Sequence, residues 1–226
     1  MTALDAASPR CDTRCVRVAD VLPDDAAYES AYSRLPAWRR CKCDNYRFTA
    51  DRRRSVAAWL LLRQMLAERG FDADALPVIE NAFGKPAFES VPELCFSLSH
   101  AGDRVMAAVS DVEVGCDVER IVPIDDGMLK MNLVEAERTH LASLFGEARD
   151  RAFIRLWVRK ESYVKAMGRG LDVDFSTFSA LDTPPSSGWD WQDFAFDDGH
   201  LGCVCARKMS EPSLFDALAR FGKKNG

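Results

Sequence analysis

Trp157-Val158-Arg159-Lys160-Glu161-Ser162-Tyr163-Val164-Lys165 decides how this chain is read, taken with Val114-Gly115-Cys116-Asp117-Val118-Glu119 upstream. In helical spacing Trp157, Glu161 and Lys165 fall four apart and share one stripe. An i,i+4 glutamate–lysine pair is most often a surface salt bridge worth a few tenths of a kcal/mol. A tryptophan on the same stripe points instead to the wall of a cleft, with Lys160 on a neighbouring face. The second stretch alternates as a strand, so Asp117 and Glu119 project from one face and Cys116 and Val118 from the other. Two carboxylates that close are unfavourable unless a cation lies between them or solvent screens them. Gly115, just before them, leaves room for another backbone or a ligand. Each pattern alone is short and common. Together they read as a divalent-metal site for a phosphorylated substrate.

The rest of the chain sets the bounds. At 226 residues, 47% hydrophobic and 29% charged, it is long enough for a real core in one large domain or two small ones, and its composition excludes a disordered chain. The net charge of -5 makes no case for a nucleic-acid partner, and none is expected. Residues 1–20 carry no apolar run resembling a signal-peptide core. The longest strongly apolar run, Val56 to Leu62, falls far short of the roughly 20 residues of a spanning helix. The expectation is a soluble cytoplasmic protein with no membrane partner, for which a monomer is sufficient. Eight cysteines occur without C-x2-C spacing, so reduced, mostly buried thiols are expected rather than a zinc site or a disulfide framework.

Read in order, Asp24 to Leu35 has the apolar spacing of a short helix stopped near Pro36. A basic stretch from Arg34 to Arg54 follows. Thr49 to Arg69 reads as a largely buried helix capped by Thr49, with Arg52, Arg53 and Arg54 in and just behind its first turn. Cations there oppose the helix dipole, and a bound anion is one resolution. Asn81 to Pro86 is a turn. Leu94 to His100, Arg104 to Ser110 and Val112 to Glu119 read as three strands of an antiparallel meander. Helices are expected at Leu133 to Phe145 and Glu147 to Met167. Strands are expected at Phe175 to Leu181, Trp189 to Phe196 and Leu201 to Lys208, and a short helix at Leu214 to Phe221. The order partly repeats. The fold class is therefore α+β with two similar halves, divided as residues 1–119 and 120–226.

Oxygen donors without clustered histidines favour Mg2+ or Mn2+ over zinc. Adding Lys165, His100, Lys85 and the arginine-rich helix start makes phosphoanhydride chemistry the natural class. Neither a phosphate-binding G-x4-G-K-[ST] loop nor a G-x-S-x-G elbow is present.

Three segments in this order and spacing then carry a family likeness: Phe96-Ser97-Leu98-Ser99-His100, Val114 to Glu119 and Trp157 to Lys165. Their combination resembles the 4'-phosphopantetheinyl transferases, of the larger surfactin-synthetase-activating type, from about Arg39 to Val173. That resemblance implies a pseudodimer of two α+β halves, each with an antiparallel three-strand sheet and a long packed helix. It also implies transfer of the phosphopantetheine arm of coenzyme A to a serine of an apo acyl or peptidyl carrier protein, releasing adenosine 3',5'-bisphosphate. Asp117, Glu119 and Glu161 would be ligands of Mg2+, with Mn2+ as a substitute. Asp117, Glu161 and Lys165 would form the catalytic set, Glu161 as a candidate base and Lys165 on the pyrophosphate. Lys85 in Gly84-Lys85-Pro86, Ser99 with His100, Arg39 with Lys42, and Arg54 with Ser55 match coenzyme-contacting positions. Glu137 matches a recurrent glutamate. The family's aromatic pair before the glutamate-bearing helix is replaced here by Asn132-Leu133. The rival readings are a metal-dependent phosphohydrolase of coenzyme A or a nucleotide, and a non-catalytic carrier-binding module.

Overall fold

The computed structural model describes residues 10–125, 127, 133–170 and 173–208. Strand β1 (Cys11–Arg17) leads into the short helix α1 (Val18–Val21), then α2 (Asp25–Ser33), α3 (Ala37–Asp44) and the long α4 (Thr49–Glu68). A small ribbon, β2 (Val78–Glu80) with β3 (Pro86–Phe88), precedes the hairpin of β4 (Cys95–Ala101) and β5 (Arg104–Ser110). Strand β6 (Val114–Arg120) opens the second part. It continues with α5 (Glu135–Ala142), α6 (Gly146–Met167), a 3-10 turn at Phe175–Thr177, and the hairpin of β7 (Trp189–Phe196) and β8 (His200–Arg207).

The two three-stranded sheets have the orders β1-β5-β4 and β6-β8-β7, antiparallel throughout. Each is built as strand, long helix, then hairpin, with the first strand paired to the last. The repeat expected from the sequence is therefore present, but its strands are dealt differently. Strand β6 does not continue a meander from β4 and β5. It pairs with β8, while the first sheet takes its third strand from β1, which the sequence reading leaves unassigned. A division between residues 119 and 120 would thus cut β6 from its own sheet. The cause is local: the alternation of β6 fits a strand, but it cannot say which edge that strand will join.

Helix α4 covers the first sheet. Val56, Trp59, Leu62, Met65 and Leu66 bury against Phe96, Val105, Ala107 and Val109. Its N-cap is Phe48, without a side-chain cap bond, so Thr49 is its first residue and not its cap. Helix α6 covers the second sheet through Phe153, Ile154, Leu156 and Val158, which meet Leu201 and Cys203. It ends at Gly168, whose φ of 68° is the left-handed turn that glycine adopts without strain. Phe175 to Leu181 contains the 3-10 turn in place of the expected strand. The helix expected at Leu214 to Phe221 lies outside the described residues. All eight cysteines are free, with Cys43, Cys116, Cys203 and Cys205 buried. Among the described residues no helix is long and apolar enough to cross a membrane.

The sheets meet where β4 lies against β6. The Cys116 and Val118 N–H groups donate to the hydroxyls of Ser97 (3.0 Å) and Ser99 (3.4 Å). Serine side chains replace a backbone ladder at this seam. The serine face of β4, opposite its core-facing Phe96, therefore belongs to the junction between the repeats.

Candidate active site

The junction opens into a cleft of about 470 Å3 lined from both repeats. Strand β6 enters it with Asp117 and Glu119, as its alternation requires, while Cys116 and Val118 pack with Met106 and Ala108. Helix α6 lies directly on the acidic face of β6. Gly115 makes that approach possible: a Cβ there would stand 2.1 Å from the Ser162 carbonyl oxygen and 2.3 Å from the Ala166 nitrogen. The resulting contact brings Trp157, Glu161 and Lys165 into the cleft beside the two β6 carboxylates. The tryptophan is thus part of a cleft wall, packed edge-on to Phe175.

Asp117 is 2% exposed. Its Oδ1 accepts from Lys165 Nζ at 2.6 Å and from the Ser99 hydroxyl at 2.7 Å, whereas its buried Oδ2 has no partner. Burial, then the neighbouring Asp117, pushes the Glu119 carboxyl up to about 7. Glu161 is also raised, by burial against the opposing pull of Lys165 and with a push from Asp117. Burial works against the Lys165 ammonium, but Asp117 outweighs it and holds the proton on more firmly than usual. The site thus gathers three carboxylates around one cation and leaves an acceptor unused. Among the described residues no three His, Cys, Asp or Glu side chains form a ready-made metal cage.

The first repeat supplies the opposite wall. Helix α3 presents Arg39 and Lys42, three apart and on one face, to the cleft. Arg40, between them, turns to the Ser33 carbonyl. Arg39 is 7% exposed; one Nη donates to the Ser55 carbonyl and hydroxyl, and its Nε is buried without a partner. Ser55 therefore acts behind Arg39. Lys42 pairs with Glu80 at 2.7 Å. His100 lies in the cleft with its Nε2 3.4 Å from the Tyr46 hydroxyl. Burial and then Arg54 push its pKa down to about 4, so the ring is neutral near pH 7. Lys85 lines the cleft, yet its Nζ donates to the carbonyls of Val114 (3.1 Å) and Ala166 (2.8 Å). Burial lowers its pKa.

The arginines at the start of α4 have partners within the chain. Arg52 bonds to the Tyr46 carbonyl, and Arg53 to the carbonyls of Leu22 and Asp24 and to Asp25. Arg54 pairs with Asp51 and donates to the Gly102 carbonyl. Carbonyls of the preceding turns and nearby aspartates absorb the charge that the helix dipole disfavours.

Three neighbours of the site escape the sequence reading. Tyr46 stands four residues after Lys42. It lies just beyond the end of α3, so no helical spacing links the two in the sequence. Asn81 bonds to the end of α6, as described below. Lys160, adjacent to Glu161, is 1% exposed and pairs at 2.7 Å with Glu137, which is fully buried. Its Nζ also donates to the carbonyls of Phe175 and Phe178, and Glu137 accepts from the Ala180 N–H. This pair ties α5, α6 and the 175–180 segment behind the stripe of Trp157, Glu161 and Lys165.

Two α+β repeats meet at a cleft that holds carboxylates, a protonated lysine and a basic wall. Comparison with known proteins gives the family. A model described as 4'-phosphopantetheinyl transferase, N-terminal, matches residues 21–112, and the 4'-phosphopantetheinyl transferase superfamily model matches residues 113–192. The chain is 34% identical over 147 residues to the transferase psf-1 of Bacillus pumilus, a match covering 63% of this chain and 61% of that protein. It is 39% identical over 134 residues to AcpT of Salmonella typhi, covering 55% and 68%. Against Sfp of Bacillus subtilis it is 25% identical, covering 77% and 83%. The chain belongs to the 4'-phosphopantetheinyl transferase family. It spans less than two thirds of the Bacillus pumilus relative, and 65% of ffp of Bacillus subtilis. The two matched regions divide at residues 112 and 113, immediately before β6.

Proposed function

We propose that this chain transfers the 4'-phosphopantetheine arm of coenzyme A to a serine hydroxyl of an apo acyl or peptidyl carrier protein, using Mg2+ or Mn2+ and releasing adenosine 3',5'-bisphosphate. The observation that carries this reading is the unpartnered, buried Oδ2 of Asp117 in a cleft that also holds Glu119, Glu161 and a firmly protonated Lys165. The donor set fits a hard divalent cation: an unused carboxylate oxygen and two carboxylates pushed up by burial are what a bound cation would relieve. Mg2+ characteristically binds through one or two carboxylates and completes its shell with water and phosphate oxygens, so a preformed protein cage is not required. Asp117, Glu119 and Glu161 would hold it, and it would supply Lewis-acid polarisation of a phosphoryl oxygen.

The chain's own groups divide the remaining work. Lys165 keeps its proton and can move from Asp117 to the pyrophosphate, stabilising negative charge as the phosphorus–oxygen bond breaks. Arg39 and Lys42 form the basic end of the cleft, suited to the coenzyme's 3'-phosphate. Ser99 and neutral His100 offer hydrogen bonds without adding charge. Glu161, raised above an ordinary carboxylate, takes the serine proton directly or through one water. The serine oxygen then bonds to the phosphorus of the pantetheine side. The bond to the nucleotide phosphate breaks, and its electron pair leaves with adenosine 3',5'-bisphosphate.

The test is to incubate the protein with coenzyme A, Mg2+ and an apo carrier protein and to weigh the carrier. Gain of the phosphopantetheine mass is expected. No gain with several carriers, together with coenzyme A breakdown, would instead make the protein a phosphohydrolase. Glu161→Gln should abolish transfer while leaving the thermal midpoint nearly unchanged; near-normal turnover would remove Glu161 from the reaction.

A further inference from the structure

Asn81 opens the turn that contains Gly84-Lys85-Pro86, and its two carboxamide ends serve different repeats. Its Oδ1 accepts from the N–H groups of Phe83 (2.9 Å) and Lys85 (3.0 Å). Its backbone closes the same turn, N–H to the Lys85 carbonyl at 3.0 Å and carbonyl to the Gly84 N–H at 3.0 Å. Its Nδ2 leaves the turn and donates to the Gly168 carbonyl at 2.8 Å, at the end of α6. Lys85 Nζ adds a second bond to that end, on the Ala166 carbonyl at 2.8 Å. The last carbonyls of a helix lack partners within it, and here a turn from the other repeat provides two of the donors.

The joint is tight. A Cβ at Gly168 would stand 2.9 Å from Lys85 Cδ and 3.1 Å from Asn81 Nδ2. Lys165 lies less than one helical turn before Gly168, so a shift of the helix end moves the ammonium that sits on Asp117.

We infer that Asn81 is a positioning residue for the transfer reaction. Its carboxamide locks the turn on the coenzyme side of the cleft to the end of the helix carrying Glu161 and Lys165. The inference rests on the function proposed above. It explains why asparagine suits this position. Aspartate would preserve both acceptor bonds within the turn but could not donate to the Gly168 carbonyl.

Asn81→Asp therefore separates the turn from the coupling, and Gly168→Ala disturbs the same joint from the helix side without adding charge. Amide hydrogen exchange with and without coenzyme A, calorimetric Kd for coenzyme A, and kcat for carrier modification read the result. In the wild type, coenzyme A should slow exchange both in residues 83–86 and in the last turn of α6. Asn81→Asp should keep the first protection, lose the second, bind coenzyme A with nearly unchanged Kd, and lose about 10- to 100-fold in kcat, the scale of an ångström-sized misplacement. Gly168→Ala should show the same split. A variant that retains α6 protection and kcat overturns the inference, as does a rise in Kd that accounts for the whole loss of kcat/KM. A wild type that binds no coenzyme A overturns the proposed function, and this inference with it. A wild type that binds and transfers beside an equally active Asn81→Asp overturns only the inference.

Discussion

Gly115→Ala is the sharpest probe of how the fold builds the site. The added methyl carbon would stand 2.1 Å from the Ser162 carbonyl oxygen and 2.3 Å from the Ala166 nitrogen. Both are backbone atoms of α6, so neither can rotate aside. Ordinary contact begins at 3.4 Å, and 3.4 less 2.1 leaves about 1.3 Å by which strand and helix must part. Overpacking of this kind typically costs about 1–3 kcal/mol. At about 2–4 °C per kcal/mol for a chain of this size, the thermal midpoint should fall by about 2–12 °C. The effect on the reaction should be larger in proportion. Asp117, two residues along β6, holds Lys165 at 2.6 Å, and separating β6 from α6 by an ångström pulls that pair apart. A misplacement of this size is worth about 100-fold in rate.

Calorimetry gives the midpoint, and the rate of carrier mass gain gives kcat. An unchanged midpoint would mean that β6 and α6 have room the packing denies. A lowered midpoint with unchanged kcat would refute the link from strand–helix distance to catalysis.

Two further substitutions test separate parts of the site. Arg39→Ala should raise the KM for coenzyme A more than for 3'-dephospho-coenzyme A, because Arg39 faces the cleft with an unpartnered Nε. Arg54→Ala should not discriminate between the two, since its guanidinium is held by Asp51 and Gly102; a selective effect of Arg54 would reverse that assignment. Lys160→Met strands the fully buried Glu137 carboxylate and should destabilise the protein by about 3–5 kcal/mol, the scale for breaking a buried pair from one side. Adding Glu137→Gln should recover part of that loss in a denaturation curve, and failure to recover any would mean that packing, not the uncompensated charge, dominates.

The sequence made the cleft-facing stripe legible because its side chains follow simple periods. Period two on β6 places Asp117 with Glu119, and spacing by four on α6 places Trp157, Glu161 and Lys165. The glycine before them gives away a close approach. The partner choices of strands were not legible. Strand β1 carries Asp12, Arg14 and Arg17 among its cysteines and so lacks the apolar run that marks β5. It forms because β5 offers an open edge, which only the tertiary fold supplies. The partners of the arginine cluster were not legible for a related reason. Charge density identifies basic residues but not their acceptors, and Arg52 and Arg53 spend theirs on carbonyls of turns that no periodicity reveals. Lys160 was hidden by its neighbour: beside Glu161 it looks like a surface charge, and only the buried Glu137 on α5 explains it.

The repeat also explains why only its second copy buries the strand–helix ion pair. Arg14 is the fourth residue of β1 and pairs in register with Ala107; Asp117 is the fourth of β6 and pairs with Cys203, at the equivalent position of β8. Each bonds to a charged residue near the end of its repeat's long helix: Arg14 to Glu68, and Asp117 to Lys165, with the signs exchanged between strand and helix. The first pair is open to solvent, with side chains 39% and 43% exposed, where an ion pair is worth about 0–1 kcal/mol. In the second, Asp117 is 4% exposed on its side chain. The difference follows from the outer edges of the two strands. Strand β1 ends its sheet without a described strand beyond it, whereas β6 is covered by the serines of β4 and overlaid by α6 through Gly115. One architectural position therefore yields a solvated salt bridge in the first repeat. In the second it yields a desolvated carboxylate with an unpartnered oxygen, the feature on which the proposed cation site rests.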